Sequence, residues 1–342
     1  MPTLVVQLGL RSTTFTYYSS LDKVKTHYLN FAYSPSVNRS SFDEVSYYEA
    51  LVKQICSQNK IPLEKTDVYF INSDHCFISK YKCKDISELL NVGFDSDVVY
   101  VDGTMIAAGQ DTHSSCDINF LNYFSNKNDK LNKDLYALTC NNEDMLNEIN
   151  DNYLKKVFYS GELKLKPLNL YKNVVFTGPR FYKRPELNPA DMRFILDTCS
   201  WGESITLQMD SENSLLSNLL LKSINPSAFE SAIEKNPYRS LGTLLNTNGP
   251  AEVLVISDEG TNQLFDLDPN ELFLIPLGVS ERVKVKLKGK GLPMKEFLVS
   301  GGSYGVIFDS RDKRGTEYLQ QDRNDSFWLS QRLELSESLN RL

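Results

Sequence analysis

Short apolar segments that run into glycine turns, with helical patterns between them, are the feature that most limits the fold of this chain. Leu4 to Leu10 is a β-rich run, Val98 to Val101 is fully apolar, and Asn173 to Phe176 is a third segment of this type. Between the first two, residues 42–59 repeat apolar side chains at the three- and four-residue spacing of a helix. This alternation of strands and helices predicts a layered α/β fold rather than a helical bundle or a β-barrel.

Length and composition are those of a folded protein with room for two domains. The chain has 342 residues, of which 41% are apolar and 11% aromatic, and this content excludes disorder as the dominant state. Its net charge of −7 is spread along the sequence and gives no indication of a nucleic-acid partner or an anionic membrane surface. No stretch approaches the roughly 18 apolar residues of a membrane-spanning helix, so we expect no membrane span.

Cysteine usage and the first residues of the chain favour a cytoplasmic location. Six cysteines at irregular spacing are ordinary for a reducing compartment and do not resemble a secreted disulfide framework. The opening Met-Pro-Thr-Leu-Val-Val lacks the basic start of a signal peptide, and its apolar run is too short for one. We therefore expect a cytoplasmic protein whose cysteines are reduced.

Three turns that follow predicted strands have residues suited to phosphate. The first runs from Gln7 to Thr14, the second is Asp102-Gly103-Thr104, and the third is Thr177-Gly178-Pro179-Arg180. Such turns present backbone N–H groups and hydroxyls to phosphate oxygens, and glycine lets the ligand approach the backbone. Each one alone is typical of an ordinary turn. Together they indicate a ligand site, because ligands of open α/β sheets bind at the carboxyl ends of strands.

The order of these turns resembles the phosphate-1, phosphate-2 and adenosine motifs of the actin/Hsp70/sugar-kinase superfamily. The carboxyl-terminal half is similar to the glutamate-mutase-associated MutL-like family, which is unrelated to the mismatch-repair protein of that name. The similarity covers roughly residues 173–315, and its segments are Asn173–Gly178, Ile205–Asp210, the Leu-rich helix to Ile224, Asn225–Ala228, Leu241–Thr243 and Gly301–Arg311. The last segment is the most specific, because it resembles the family's Gly-Gly-x-x-Gly-x-Ile-x-Asp-x-Arg signature.

The resemblance implies an actin-like, ribonuclease-H-like α/β fold of two lobes, reduced in size and followed by a small β domain. Short alternating strands with glycine and proline turns from Leu244 to Phe308 also indicate that domain directly. We expect a first lobe at residues 1–124 and a second lobe at 135–243, with an exposed polar linker at 125–134 between them. The β domain follows at 244–322, and a carboxyl-terminal amphipathic helix at 323–342.

For the three turns, the resemblance implies ATP with Mg²⁺ as the cofactor. The residues that would hold it are Gly9, Ser12, Thr13, Asp102, Gly103, Thr104 and Gly178. Two family carboxylates are replaced, because Gln7 stands where the first loop has its aspartate and Tyr100 stands where the second loop begins with one. Mg²⁺ prefers carboxylate ligands and retained waters, so both replacements weaken the case for hydrolysis. Pro179 and Arg180 also stand in the adenosine turn, where small residues are expected.

These departures lead to three hypotheses on function. The first is a degenerate actin-like protein, non-catalytic or weakly nucleotide-binding, that serves as a scaffold or accessory protein for a protein assembly. Under this hypothesis the protein has no catalytic residue and no metal site. The second is an active Mg-ATPase chaperone or reactivase that uses Asp102 from a shifted position. The third is a filament-forming or envelope-associated structural protein, for which oligomerisation is expected.

A scattered set of histidines and cysteines has the atoms needed to bind zinc. Its members are His75, Cys76, Cys83, His113 and Cys116. Their spacing is not that of zinc fingers or ribbons, so the preferred interpretation is buried cysteines with solvated histidines. A cysteine–histidine nucleophile pair drawn from the same residues has no local signature.

Two short-range patterns predict specific local structure. Lys284, Lys286 and Lys288 alternate with apolar residues, so a strand would place them on one solvated face or edge, or on a surface for an anionic ligand. Asp309 and Arg311 share a strand face at i and i+2. This spacing predicts an internal ion pair that fixes the signature turn.

Two helices are predicted in the second half of the chain, and a third at its end. A strongly apolar helix runs from Asn213 to Ile224, with Asp210 or Ser211 as its amino-terminal cap. Pro226, at the favoured first position, begins the next helix. The terminal helix carries Trp328, Arg332, Leu335 and Leu339 on one stripe, which packs on its own core or faces a partner.

Overall fold

A computed structural model of the chain shows a mixed α/β protein with three β-sheets and a few helices, which confirms the predicted class. The structure describes residues 2–8, 12–20, 23–30, 44–72, 81–90, 96–102, 105–108, 173–187, 191–192, 195–196, 199, 203–235, 238–247, 249–257, 262–289 and 293–311. The predicted linker at 125–134 and the predicted helix at 323–342 lie outside these residues. None of the helices in these ranges is long and apolar enough to cross a membrane.

The first sheet has the strand order β3-β2-β1-β4-β5. Its strands are β1 (Thr3–Leu8), β2 (Ser12–Ser20), β3 (Lys23–Asn30), β4 (Asp67–Asn72) and β5 (Lys82–Asp85). The first three form an antiparallel meander, β4 runs parallel to β1, and β5 runs parallel to β4. Helix α1 (Glu44–Gln58) covers one face, where Val52 and Ile55 pack against Leu4, Val6 and Phe15.

The second sheet has the strand order β13-β16-β10-β9-β8-β6-β7. Its strands are β6 (Asp97–Asp102), β7 (Met105–Ala108), β8 (Asn173–Thr177), β9 (Ser204–Met209), β10 (Arg239–Asn246), β13 (Leu272–Ile275) and β16 (Val306–Asp309). Strand β7 is antiparallel to β6, while β8 and β9 run parallel to β6. The strands β2-β1-β4-β5 and β7-β6-β8-β9 therefore share one order and one set of directions, so the two sheets repeat a four-strand arrangement.

The third sheet is antiparallel throughout and has the order β12-β11-β14-β15. Its strands are β11 (Ala251–Ser257), β12 (Asn262–Leu267), β14 (Arg282–Gly289) and β15 (Lys295–Ser300). Its apolar face packs against Leu245, Val306 and Phe308 of the second sheet. Strands β13 and β16 come from the range predicted as a separate β domain, but they pair within the second sheet. The domain boundaries themselves stay predictions.

The lysines of β14 lie on the outer face of the third sheet, as their alternation predicts. Val283, Val285 and Leu287 are buried between them. Because β14 is an inner strand of its sheet, the lysines occupy a face and not an edge. The Lys284 Nζ lies 2.7 Å from Oε1 of Glu296, so the charge on this face is partly paired within the sheet.

Helix α3 (Leu215–Ile224) lies between the first two sheets and is buried from Leu215 to Leu221. Leu219 belongs to one core cluster with Val5 of the first sheet and Val98 of the second. The short helix α2 (Ile86–Leu90) and helix α4 (Pro226–Lys235) contribute to the same cluster. A helix with apolar residues on every side is suited to this position, because each of its faces meets another layer.

The glycines of the Gly301–Arg311 signature allow backbone segments to touch. A Cβ added to Gly302 would lie 2.4 Å from the backbone nitrogen of Gly242 on β10. A Cβ on Gly305, whose φ is +70°, would lie 2.0 Å from the carbonyl oxygen of Ile275. Such distances exclude any side chain, so these glycines are explained by packing between β10, β13 and the signature turn.

The predicted ion pair at the end of the signature is confirmed. The Arg311 Nε donates to Oδ1 of Asp309 at 2.9 Å, and Nη2 donates to Oδ2 at 2.8 Å. Both residues are buried, and the bidentate geometry is the strong form of this interaction. The pair therefore fixes the chain where it leaves β16.

Cysteine chemistry differs from the sequence-based expectation at one position. Cys83 on β5 is disulfide-bonded, whereas Cys56 and Cys199 are free and buried. The expectation that all cysteines are reduced is therefore wrong for Cys83, because a local sequence pattern does not show which sulfur atoms meet in the fold. His75, Cys76, His113 and Cys116 of the zinc hypothesis lie outside the described residues. Within them, no cluster of His, Cys, Asp or Glu is placed to hold a metal ion.

Candidate functional site

A buried line of polar side chains joins the first sheet to the second, and we call it the polar seam. Its members are Gln7, Thr14, Thr16, Tyr18, Tyr100, Thr177, Asp210, Asn213, Ser214, Ser217 and Asn218. In the first sheet, Gln7 of β1 lies opposite Thr14 of β2. Alternate residues of a strand face the same side, so β1 and β2 present one polar face here. In the second sheet, Tyr100 and Thr177 are neighbours near the carboxyl ends of the parallel strands β6 and β8.

The centre of the polar seam is a contact between Gln7 and Tyr100. The Gln7 Nε2 donates to Oη of Tyr100 at 3.3 Å and to Oδ1 of Asn213 at 3.4 Å. The Asn213 Nδ2 in turn donates to Oγ1 of Thr14 at 2.9 Å, which brings the contact back to β2. Gln7 is 2% exposed and Tyr100 is 0% exposed. Gln7 and Tyr100 are therefore hydrogen-bonded to each other in a buried position.

A second part of the polar seam ties β2 to helix α3. The Tyr18 Oη donates to Oδ1 of Asn218 at 2.8 Å, and the Ser217 Oγ donates to Oγ1 of Thr16 at 3.3 Å. Burial raises the pKa of Tyr18 and also that of Tyr238. These bonds fix the face of α3 that carries its few polar residues.

Asp210 is the buried carboxylate of the polar seam. The helix begins at Leu215 with Ser214 at its amino-terminal cap position, so neither predicted cap, Asp210 or Ser211, is the cap residue, although the Asp210 side chain reaches the first turn. Its Oδ2 accepts from the backbone N–H of Leu215 at 2.7 Å and from Oγ1 of Thr177 at 2.7 Å. Its Oδ1 accepts from the Ser214 Oγ at 3.2 Å. Burial raises the pKa of Asp210, and the hydrogen bonds from Thr177, Leu215 and Ser214 only partly oppose that shift. The carboxylate thus joins the first turn of α3 to β8.

Several residues that the resemblance assigns to the cofactor lie away from the seam or outside the described chain. Gly9, Gly103 and Thr104 lie outside the described residues, while Ser12 is the first residue of β2 and Asp102 the last of β6. Thr13 is buried, but it lies opposite Leu8 and so on the α1 face of the sheet. Thr14, its neighbour, is the residue that enters the polar seam. The cofactor-binding roles of these residues stay predictions.

The third turn keeps its glycine, but the arginine beside it is buried in an internal ion pair. Gly178 has a φ of +117°, a conformation that favours glycine, and precedes a short 3₁₀ turn over Pro179–Phe181. The Arg180 side chain is buried, and its Nε donates to Oδ1 of Asp191 at 2.8 Å. Arg184 adds a second contact, from Nη1 to Oδ2 of the same carboxylate at 3.2 Å. The turn is therefore held by an internal ion pair.

The chemistry available to the polar seam is hydrogen bonding. Its side chains are amides, hydroxyls and one carboxylate that already accepts three hydrogen bonds. Among the described residues, the Oε1 atom of Gln7 is buried without a hydrogen-bond partner. Leaving such an atom unsatisfied costs about 1–3 kcal/mol, so the seam is held together by its other bonds and by the surrounding apolar core.

Reasoning from the sequence identified two members of the seam's centre and missed the others. Gln7 and Tyr100 were marked only as positions where a carboxylate is absent. The sequence predicts Thr14 as the end of a phosphate-type turn and Asn213 as the start of a helix, and neither as a partner of Gln7, although two signals point to them. Thr14, Thr16 and Tyr18 alternate as polar residues on a strand, and Asn213, with a φ of +51°, belongs to the small class of residues that tolerate this conformation.

Comparisons with known proteins show little. No family model matches the sequence, and no curated protein matches it. Among solved structures, a chain from the structural study of the Aquifex aeolicus PPX-GPPA enzyme matches at 12% sequence identity and a TM-score of 0.29. That match covers 58% of this chain and 80% of the other. At so low a TM-score it carries no argument about fold or function.

Proposed function

We propose that this chain is a degenerate actin-like protein that acts as a scaffold or accessory protein in a protein assembly and does not hydrolyse ATP. The observation that carries the proposal is the buried hydrogen bond from Gln7 to Tyr100. These two residues, 93 positions apart, stand where the resemblance expects two Mg²⁺-directed carboxylates, and instead they bond to each other.

The repeated four-strand arrangement supports the actin-like part of the proposal. The units β2-β1-β4-β5 and β7-β6-β8-β9 have the same order and directions. Gln7 lies near the carboxyl end of β1 and Tyr100 near that of β6, so the two residues occupy similar places in the two units. A duplicated α/β arrangement with a site between its halves is the architecture that the resemblance implies.

The donor atoms of the polar seam do not fit Mg-ATP. Mg²⁺ takes oxygen ligands, chiefly carboxylates and waters, at near-ideal octahedral geometry. The seam offers an amide at Gln7, a phenol at Tyr100 and an amide at Asn213, and its carboxylate, Asp210, is engaged by three donors. Gln7 and Tyr100, one from each sheet, already hydrogen-bond to each other. These features support a protein that holds its two halves together without using a nucleotide.

A phosphate-release assay with Mg-ATP tests the proposal directly. We expect the purified chain to release no more phosphate than a blank, and Asp102→Ala to change nothing. Asp97→Ala, at the opposite end of β6, serves as the matched control for effects on folding. Turnover by the wild-type chain that Asp102→Ala abolishes and Asp97→Ala preserves would establish the ATPase hypothesis and overturn ours.

Genetic complementation tests the scaffold part. In a host that lacks this gene, the Asp102→Ala chain should restore the wild-type phenotype as well as the unchanged chain does, since a scaffold needs no relocated carboxylate. Loss of complementation by this variant at normal protein level would argue for chemistry at Asp102.

A further inference from the structure

The third sheet ends in a strand, β12, whose sequence and exposure suit pairing with another copy of itself. We propose that two copies of this chain associate through antiparallel pairing of β12, with Leu264 on the two-fold axis. The proposal is independent of whether the polar seam binds a nucleotide, because β12 belongs to a different sheet.

Strand β12 is an edge with a single charged side chain, Asp266, and none of the other usual obstacles to pairing. Within the described residues its one strand neighbour is β11. Natural edge strands are commonly protected by lysine, proline or a bulge, yet Asn262–Leu267 contains neither lysine nor proline and pairs with β11 in unbroken register. Leu264, in the middle of the strand, is 65% exposed, which is high for a leucine on a regular strand.

The register of the proposed pair follows from the sequence of the strand. With Leu264 opposite the partner's Leu264, Asn262 lies opposite the partner's Asp266. Each of these pairs faces the outer side of the sheet, because residues opposite one another in an antiparallel pair share a face. No like charges meet, and an amide faces a carboxylate. Centring the pair on Phe265 instead would put Leu264 opposite an aspartate, so the strand favours the first register.

The outer face of the third sheet extends the apolar contact. Leu264 pairs with Leu254 on β11, and Leu254 pairs with Lys286 on β14. Two-fold pairing would therefore join two such rows into one, with four leucines at its centre and a lysine at each end. Directly opposed apolar residues on one face stabilise strand pairing.

The symmetry of this contact fixes the size of the assembly. A two-fold interface uses the same surface on both copies and closes on itself, so it yields a dimer and not a filament. A contact confined to one strand pair is small, in the range below about 1,200 Å² that is typical of transient association. We therefore expect a reversible monomer–dimer equilibrium.

Sedimentation velocity over a concentration series tests the proposal on the full chain. We expect a dimer to appear with increasing concentration, and Leu264→Lys to weaken association tenfold or more because two ammonium groups would meet on the axis. Leu298→Lys is the matched control: Leu298 is 69% exposed on β15 at the opposite edge of the same sheet. Thermal unfolding of both variants verifies that they are folded.

Cysteine cross-linking tests the register. Opposite residues of an antiparallel pair have Cα atoms about 4.5–5.5 Å apart, which is within the range of a disulfide. Leu264→Cys should therefore give a covalent dimer under mild oxidation, whereas Gln263→Cys, opposite the partner's Phe265, should not. A chain that stays monomeric at all concentrations would overturn the proposal. So would a dimer that is insensitive to Leu264→Lys, or one that Gln263→Cys captures as well as Leu264→Cys does.

Discussion

Asp210 shows how one buried side chain couples helix α3 to the second sheet. Its carboxylate accepts from the backbone N–H of Leu215 in the first turn of α3 and from Thr177 on β8. Because burial raises its pKa, the folded chain holds the proton of Asp210 more tightly than the unfolded chain does. The stability that this residue contributes is therefore fully present below its ordinary pKa of about 3.9 and is lost as the pH rises through its folded pKa.

We predict that Asp210→Asn removes this part of the pH dependence. The free energy of unfolding of the wild type, minus that of the variant, should fall as the pH rises above about 4. It should lose about 1.4 kcal/mol for each pH unit over which only the unfolded chain is ionised. Urea unfolding between pH 4 and 8 measures this difference.

Glu296→Gln provides a control of opposite sign. The hydrogen bond from Lys284 lowers the pKa of Glu296, so its contribution is lost as the pH falls through the folded pKa. For this exposed residue the wild-type-minus-variant difference should decrease toward acid. A difference for Asp210→Asn that is flat, or that grows with pH, would contradict the assignment of a raised pKa.

At the scale of elements, the Gly301–Arg311 signature is explained by packing between strands. Gly302 lies against Gly242 on β10, and Gly305 lies against Ile275 at the end of β13. The turn then enters β16, where Asp309 and Arg311 form their buried pair. In this structure the signature glycines bring backbone segments of the second sheet together, which accounts for their pattern without a ligand.

Gly302→Ala should destabilise the protein by about 1–3 kcal/mol or more, because the added Cβ meets backbone atoms that cannot move independently. The Cβ added at Gly302 would lie 2.4 Å from the backbone nitrogen of Gly242. Gly278→Ala is the control, since its Cβ would meet only the flexible Glu281 side chain at 3.2 Å. We expect Gly278→Ala to stay within about 0.5 kcal/mol of the wild type in urea unfolding. Equal losses for both variants would show that close packing at the signature is not the cause.

At the scale of the whole molecule, α3 is the element that the first two sheets share. Leu219 is fully buried and clusters with Val5 on one side and Val98 on the other. The polar seam adds hydrogen bonds from the same helix to β2. The two sheets should therefore unfold together, as one cooperative unit.

Leu219→Ala tests this coupling. Removing the side chain leaves a cavity against both sheets, and we expect a loss of about 2–5 kcal/mol of unfolding free energy. Hydrogen exchange followed by mass spectrometry should show amide exchange in β1 and β8 rising by the same factor. Faster exchange in β8 alone, with β1 unchanged, would show that the sheets are independent units.

Short-range sequence patterns predicted a large part of the local structure. The helical spacing over residues 42–59 is confirmed as α1, within two residues at its start and one at its end. The alternation at Lys284–Lys288 is confirmed as an outer strand face, and Asp309 with Arg311 as an ion pair. These features follow from chain geometry over a few residues, since strand alternation and helical period decide which side chains share a face.

The centre of the candidate site was beyond such patterns. Gln7 meets Tyr100 across 93 residues and Asn213 across 206. No local periodicity specifies those distances, because they depend on how α3 is placed between two sheets. The sequence by itself determined the α/β class, the approximate place of the strands in the first sheet and in the first part of the second, and the presence of Gln7 and Tyr100 at the ends of two of them. Only the tertiary structure decided that these two residues bond to each other, since buried polar groups take as partners whatever donors and acceptors the packed layers bring within reach.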